Sequence, residues 1–409
     1  MIGLGYIGLP TAVTIASCGA NVVGVDTNEA LVATVMEGKA HFHEPGLDSL
    51  LQLTLKNGKF VAKTRLQKSD VFIIAVPTPV LDNKKADLTS IEAVCDELVE
   101  ILEPGNTIIL ESTSPQGTTS MICDRLSNQR RDLHFPNQLE TEPNISIAYC
   151  PERILPGQML SELVNNDRII GGMTAKCAEN AKQVYEYFVS ATLHVCDAST
   201  AEVVKLMENA YRDLNIAFAN ELSIFCEKFE INVWNAIHLA NMHPRVDILK
   251  PGPGVGGHCI AVDPWFLVSA APNDTPLMRT ARHVNDTKPE KIVSAVNSHI
   301  AHIKKPVIAC LGLTYKANVD DLRESPSVSI VKSLAGGDNV KVLVVEPNIK
   351  KLPNSIDFKN VLLTDFHTAL DRANVTLVLV AHEEFKAVDH DTVDMSTVFD
   401  TVGIWQVGS

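Results

Sequence analysis

The 409-residue chain reads as an α/β protein: two Rossmann-like doubly wound domains joined by a long central helix and a helical middle domain. Three observations predict this. A glycine-rich turn at residues 3–8 leads into a helical run and then a Val-rich strand ending in an acid; three Val/Ile-rich runs in the C-terminal third repeat that order loosely; and residues 199–231, between them, contain neither Pro nor Gly. The expected boundaries are 1–195, 196–300 and 301–409.

The first element is Gly3-Leu4-Gly5-Tyr6-Ile7-Gly8, with the G-x-G-x-x-G spacing. TAVTIASCG follows as a helix ending at Gly19, and NVVGVD as a short strand ending in Asp26, eighteen residues past Gly8. In a βαβ unit of this kind the glycines bring backbone and helix N-terminus close to a pyrophosphate, and the acid accepts hydrogen bonds from the ribose hydroxyls. Asp26 would repel a 2′-phosphate, so NAD is expected as cofactor in preference to NADP. Only Met1 and Ile2 precede Gly3, so the first strand is almost missing. Either the start is cut short or the hold on the cofactor is weakened.

DVFIIAVPTPV (70–80) and NTIILESTSP (106–115) are β runs ending in Pro and hydroxyl residues. Ligands of doubly wound sheets lie at the carboxyl ends of strands, which places Thr78, Thr113 and Thr119 near the cofactor. The same side chains also suit turn and helix capping. The 199–231 helix, capped by Ser199 or Thr200, carries an apolar stripe of Leu206, Ala210, Leu214, Ala217 and Leu222. Lys205, Asn209 and Arg212 fall on another side, as a solvated face or as functional groups. KKPVIACLGLTYK, KVLVVEP and NVTLVLVAH supply the strands of the second domain, which lacks a full glycine fingerprint and is expected to bind something other than a second dinucleotide.

Composition narrows the chemistry. A net charge of −14 offers no global positive field for nucleic acid or an anionic membrane, so an anionic ligand needs a local Arg/Lys cluster. Nine cysteines, odd in number and without a CxxC pair, read as reduced, cytoplasmic usage with neither a disulfide framework nor a metal site. The apolar N-terminal run lacks a basic leader region and is broken by glycines, so it is not read as a signal peptide. No other stretch has the apolar length of a membrane span.

The loop GPGVGGHCIAVDPWF (252–266) carries the remaining signal. Its glycines suit a backbone closing tightly over a ligand. His258 and Cys259 are adjacent and lack partners with ligand spacing, which argues against a metal. Cys259 precedes a helix with Asp263 as N-cap and Pro264 at N1, and helix amides with Lys205 would favour its thiolate. Beside a nicotinamide cofactor, such a cysteine suggests capture of an aldehyde as a thiohemiacetal, a second oxidation to a thioester, and hydrolysis. Lys205 and Asn209 are candidates for the oxyanion partner, and Asp263 and Glu152 for water activation.

Taken together, GLGYIGLP, AVPTP, ESTSP, CPERILPGQ, NDRIIGG, Lys205-x-x-x-Asn209, HPRVDILKPGPGVGGHCIAVDPWF and GLTYKANVDDLRESP resemble the UDP-glucose/GDP-mannose dehydrogenase family over almost the entire chain. The resemblance implies Cys259 as nucleophile, Lys205 as acid/base or oxyanion partner, and Asp263 and Glu152 as helpers in water activation. It also implies that Arg153, Ile154, Lys205, Asn209, Arg212, His243, Arg245, Gly256, Tyr315 and Lys316 hold a UDP-sugar, while Arg323 approaches NAD. Ala261-Val262-Asp263 stands where UDP-glucose enzymes carry Pro-Lys-Asp, so the chain leans toward the branch oxidising UDP-N-acetyl-D-mannosamine, with UDP-N-acetylglucosamine next. The family's C-terminal Trp-Arg is Trp405-Gln406 here, removing a substrate contact. Rival readings are a single-step hydroxyacid dehydrogenase and a non-catalytic nucleotide-sugar sensor. Surplus apolar residues on the central helix imply a homodimer.

Overall fold

The computed structural model describes residues 1–138, 142–337, 339–388 and 393–405. Gln406 lies outside them. Two compact units emerge: Met1–Glu208 with Trp265–Ala270, and Asn209–Pro264 with Ala271–Ser409.

In the first unit the strands are β1 (Val22–Val25), β2 (Phe60–Lys63), β3 (Val71–Ile74), β4 (Thr107–Leu110), β5 (Ser146–Tyr149), β6 (Arg168–Gly172) and β7 (Leu193–Asp197). β1 pairs with β2, and β3-β4-β5-β6-β7 run in order, all pairs being parallel except β5 with β6. Ile2 joins the two groups. Ile2 bridges both Val25 and Ile74, its N–H donates to Ile73 O at 2.8 Å, and its carbonyl accepts from Ala75 N at 2.7 Å. A two-residue strand therefore closes both ladders.

The parallel strands read as continuous apolar runs because both faces are covered. Phe72, Ile74, Ile108, Leu110 and Ile147 pack on one side with Ile91, Leu98, Ile122 and Leu126. Their neighbours Ile73, Ile109, Ala148 and Ile170 pack on the other with Ile15, Ala178 and Tyr185. Alternation along the strands sends successive side chains to opposite helix layers.

The second unit has β8 (Val307–Leu311), β9 (Lys341–Val345), β10 (Val361–Leu363), β11 (Val375–Val378) and β12 (Val398–Asp400), all parallel in the order β10-β9-β8-β11-β12. Chain order reverses beside β8, as in a doubly wound sheet. Between the sheets the chain is helical: Ala198–Lys228, Val233–Ala240, Asp263–Ala270 and Pro276–Ile300. The fold class expected from the sequence is the one observed. The cap of the long helix is not: Asp197, closing β7, accepts from Thr200 N at 2.8 Å and from its hydroxyl at 2.6 Å, so the helix starts at Ala198. A carboxylate accepts both donors at once, which neither Ser199 nor Thr200 could do for itself. No helix among the described residues is long and apolar enough to cross a membrane.

The acid that follows β9 explains why the second unit differs from the first. Glu346 is buried; its Oε2 accepts from Leu313 N (2.7 Å) and Thr314 N (3.2 Å) and meets His382 Nε2 at 3.0 Å. It occupies the place Asp26 has after β1, yet its oxygens are turned inward. Burial pushes the Glu346 carboxyl up, but the His382 hydrogen bond and the amides of Leu313 and Asn348 outweigh it and hold the group at about 2. A depressed carboxyl contributes stability above its unfolded pKa and loses it as pH falls toward the folded value. Acid titration of the melting midpoint should therefore show a decline between pH 4.5 and 2 that Glu346→Gln flattens; equal slopes for the two proteins would refute this account.

Candidate active site

The dinucleotide loop lies wholly in the first unit. Gly3 has φ +90°, and a Cβ there would lie 2.4 Å from Ala75 O; one at Gly8 would lie 1.9 Å from Gly3 O. Nothing lies within 4 Å of the missing Cβ of Gly5, so the loop is walled on two sides and open on one. The Gly8–Ser17 helix begins with no side-chain cap and no acid in its first turn; Leu9 N donates to Gly5 O at 3.1 Å and Pro10 has no N–H, so an anion there meets the positive end of the helix dipole with no carboxylate competing for it. Asp26 stands at the end of β1, its Oδ2 accepting from Leu4 N at 3.0 Å and its Oδ1 from Asn28 N at 2.9 Å. Thus the acid holds the glycine turn while retaining lone pairs for hydroxyl donors. Tyr6 stacks on Phe42 with centroids 4.2 Å apart, and Ile7 is the residue before the helix. These residues fit a dinucleotide: an uncapped helix start, an open glycine and an acceptor at the next strand end.

The three threonines occupy different environments. The Thr78 hydroxyl donates to Thr113 O, tying the loop after β3 to the loop after β4. Thr119 is buried, and both its N–H (2.7 Å) and its hydroxyl (2.6 Å) donate to Glu202 Oε1. Gly117 N donates to Glu202 Oε2 at 2.7 Å, so one carboxylate caps the start of the Thr118–Gln129 helix. The Thr119 hydroxyl thus donates to the carboxylate of this cap, the capping surroundings that the sequence also allowed for it.

Glu152 follows β5 and is buried, with Oε1 accepting from Arg153 N at 2.7 Å and Oε2 paired with Arg168 Nη2 at 2.7 Å. Arg168, on β6, is buried against the rings of Tyr185 (5.2 Å) and Phe188 (5.6 Å). Tyr185 donates to Glu111 Oε1 at 2.6 Å. Burial first, and the charge of Glu152 second, push the Glu111 carboxyl up to about 7, against the pull of Arg168. Arg153 reaches away from this core to Glu208 Oε1 at 2.9 Å, and Ile154 is half-buried beside it in sequence. Lys205 is buried on the central helix.

The cysteine loop lies in the second unit. Cys259 and His258 are exposed, and the carbonyl of Cys259 accepts from Val262 N (2.9 Å) and Asp263 N (2.8 Å), closing a turn before the Asp263–Ala270 helix. Asp263 is therefore the first residue of that helix rather than a residue outside it. It is buried, and its Oδ2 accepts from Asn209 Nδ2 at 2.5 Å. The glycines also let the loop approach its own neighbours closely. A Cβ at Gly256 would lie 2.7 Å from Glu324 O and 2.8 Å from Tyr315 Cβ, and one at Gly257 3.0 Å from the Tyr315 ring. Lys316 is half-buried next to Tyr315, while Arg212, His243 and Arg245 are exposed. The Arg323 guanidinium is held by Asp321, with Nη2 to Oδ2 at 2.6 Å.

Comparison with known proteins settles the family. Models of the UDP-glucose/GDP-mannose dehydrogenase family match in order, the NAD binding domain at residues 1–189, the central domain at 199–287 and the UDP binding domain at 309–407. The chain belongs to the UDP-glucose/GDP-mannose dehydrogenase family. Among its relatives, UDP-N-acetyl-D-mannosamine dehydrogenase of Campylobacter jejuni is 53% identical over 96% of this chain and 97% of its own. NDP-N-acetyl-D-galactosaminuronic acid dehydrogenase of Ralstonia nicotianae is 52% identical over 99% and 95%. The solved UDP-N-acetyl-mannosamine dehydrogenase of Staphylococcus aureus superposes with a TM-score of 0.87 at 39% identity, covering 100% of this chain and 95% of that one.

As a member of that family the chain is an NAD-dependent nucleotide-sugar dehydrogenase. Three residues close to its candidate site escaped sequence reasoning. Glu202 is three positions before Lys205, one helical turn away on the same face, and that spacing was the available signal. Arg168, a lone cation within the apolar run RIIGG, is the kind of buried charge that must be paired. Glu111 opens the ESTSP motif at the end of β4, where a buried acid was readable only from its strand-end position.

Proposed function

We propose that this dehydrogenase oxidises C6 of UDP-N-acetyl-D-mannosamine to the carboxylate, in the cytoplasm, supplying a uronate for surface polysaccharide. The observation that carries this reading is the 53% identical relative of that name over 96% of the chain, together with the HPRV and GGHCIAVDPWF motifs. The 52% identical relative named for N-acetyl-galactosaminuronate favours the galacto sugar as the second reading.

When bound, NAD accepts one hydride in each of two successive oxidations. The balance is one alcohol, two NAD and one water giving one carboxylate, two NADH and three protons. Cys259 is assigned as nucleophile: its sulfur adds to the aldehyde carbon, and the thioester formed after the second oxidation is released by water. Lys205 and Asn209 are assigned to the developing oxyanion, and Asp263 and Glu152 to water. Arg153, Arg212, Arg245, His243 and Lys316 are assigned to the substrate, giving an acidic protein its local basic cluster. Exposed Met207, Tyr211, Phe218 and Phe225 on the central helix, spaced by four or seven residues, support a homodimer.

The test incubates purified protein with NAD and the UDP-linked manno-, galacto- and gluco-N-acetylhexosamines and UDP-glucose, measuring NADH and acid. The expected result is two NADH per acid with the manno sugar preferred. Preference for UDP-glucose would overturn the substrate, and a ratio of one the mechanism.

A further inference from the structure

We infer that a buried amide chain, Asn220–Asn285–Asp213–Arg282, positions the loop that carries Cys259. All four residues, and the loop start, belong to the second unit. Asn220 and Asp213 lie on the Ala198–Lys228 helix, Asn285 and Arg282 on the Pro276–Ile300 helix, and all four are buried.

The polarity of the chain is determined from end to end. Gly252 N can only donate, and it donates to Asn220 Oδ1 at 2.8 Å. The Asn220 amide nitrogen then faces Asn285 Oδ1 at 2.9 Å. That orientation turns the Asn285 nitrogen toward Asp213, where it donates to Oδ1 at 2.7 Å and to the backbone carbonyl at 3.0 Å. Arg282 Nη1 completes the carboxylate at 2.5 Å. A buried amide has one orientation that satisfies all its neighbours, and here Asp213, paired with Arg282, selects it at one end and a backbone N–H at the other. Two residues further, the loop lies against the same helix: a Cβ on Gly254 would stand 3.2 Å from Asn285 O. The loop start is thus held by a directional bond and by contact, seven residues before Cys259.

The bonds of Asn220 and Asn285 go to each other, to Gly252 and to Asp213, none of them a group assigned to the reaction, so their role is positioning. Attack by a thiolate is sensitive to placement, since a shift of about 1 Å costs on the order of 10²-fold in rate. The inference rests on the assignment of Cys259 as nucleophile. The experiment keeps the two apart by following iodoacetamide alkylation of Cys259 by mass spectrometry, which reads the loop whether or not the sulfur does chemistry.

Asn220→Leu removes both hydrogen bonds while keeping the number and branching of the side-chain heavy atoms. Lys288→Met is the control: Lys288 Nζ donates to Ser223 Oγ at 2.6 Å in the same interface, and Ser223 Oγ donates to the Asn220 backbone carbonyl at 2.7 Å, so the substitution perturbs the packing beside Asn220 while leaving every side-chain bond of the amide chain in place. At 25 °C, with both proteins folded, Asn220→Leu should lower kcat by about 10- to 100-fold, leave KM within about 3-fold, and change the Cys259 alkylation rate by more than about 3-fold. Lys288→Met should match the native protein in all three. Native kcat and alkylation in Asn220→Leu would overturn the inference, as would equal losses in Lys288→Met, which would make the effect one of packing alone. Should Asn220→Leu not fold, Asn285→Ala is read by the same criteria. Acid formation retained in Cys259→Ser would remove the catalytic assignment, and the alkylation result would still decide the positioning.

Discussion

Cys259→Ser is expected to lower acid formation on the order of 10³-fold, because a serine hydroxyl at neutral pH is far less nucleophilic than a thiol that is partly ionised. Cys259 is exposed at the end of a glycine loop, so the substitution removes no core packing and the unfolding midpoint should stay where it is. The loss belongs to the second half of the reaction. Aldehyde formed in the first oxidation then has no covalent partner and can be trapped with an amine reagent, while uronate, separated by anion exchange, falls to background. Full acid production in Cys259→Ser would sink the nucleophile assignment and leave a hydrated aldehyde as the species oxidised.

The second large effect is on stability. Arg168→Met leaves Glu152 without its partner at 2.7 Å and Glu111 without the charge that pulls against its burial. Removing one side of a buried ion pair costs about 3–5 kcal/mol, and for a unit of roughly 200 residues this lowers the melting midpoint on the order of 10 °C. The pH dependence has a definite sign. Glu111 is raised in the folded state to about 7 by burial and then by Glu152, so the folded state binds the extra proton and stability falls as pH rises from 4.5 toward 7. Without Arg168 that decline extends to higher pH, and the deficit should be larger at pH 8 than at pH 5.5. A midpoint within about 2 °C of the native protein at pH 8 would show that the pair does not hold this part of the unit.

Much of the architecture was legible because it rests on local rules. Gly3 and Gly8 admit no side chain, Asp26 ends a strand, and the alternating apolar residues of β3 and β4 serve two helix layers. The helix cap was placed two or three residues too late because the capping acid, Asp197, belongs to the preceding strand. The partner of Thr119 was not legible for a related reason. A hydroxyl near a strand end looks the same in sequence whether it faces a ligand or, as here, a carboxylate 83 residues away.

The sequence by itself determined which residue types stand at which chain positions: the glycine turn, the acid after the next strand, and a cysteine after a run of glycines. Periodicity and backbone sterics are short-range, so they leave a trace in neighbouring letters. Only the tertiary structure decided what each polar group faces. It turned Glu346 inward onto His382 where Asp26 faces its glycine loop, gave Glu202 to a helix start, paired Glu152 with Arg168, and ran a chain of amides from Arg282 to Gly252. These partners come together only when distant segments pack, since a buried polar group must find a complementary atom in three dimensions and nothing in its local sequence says which.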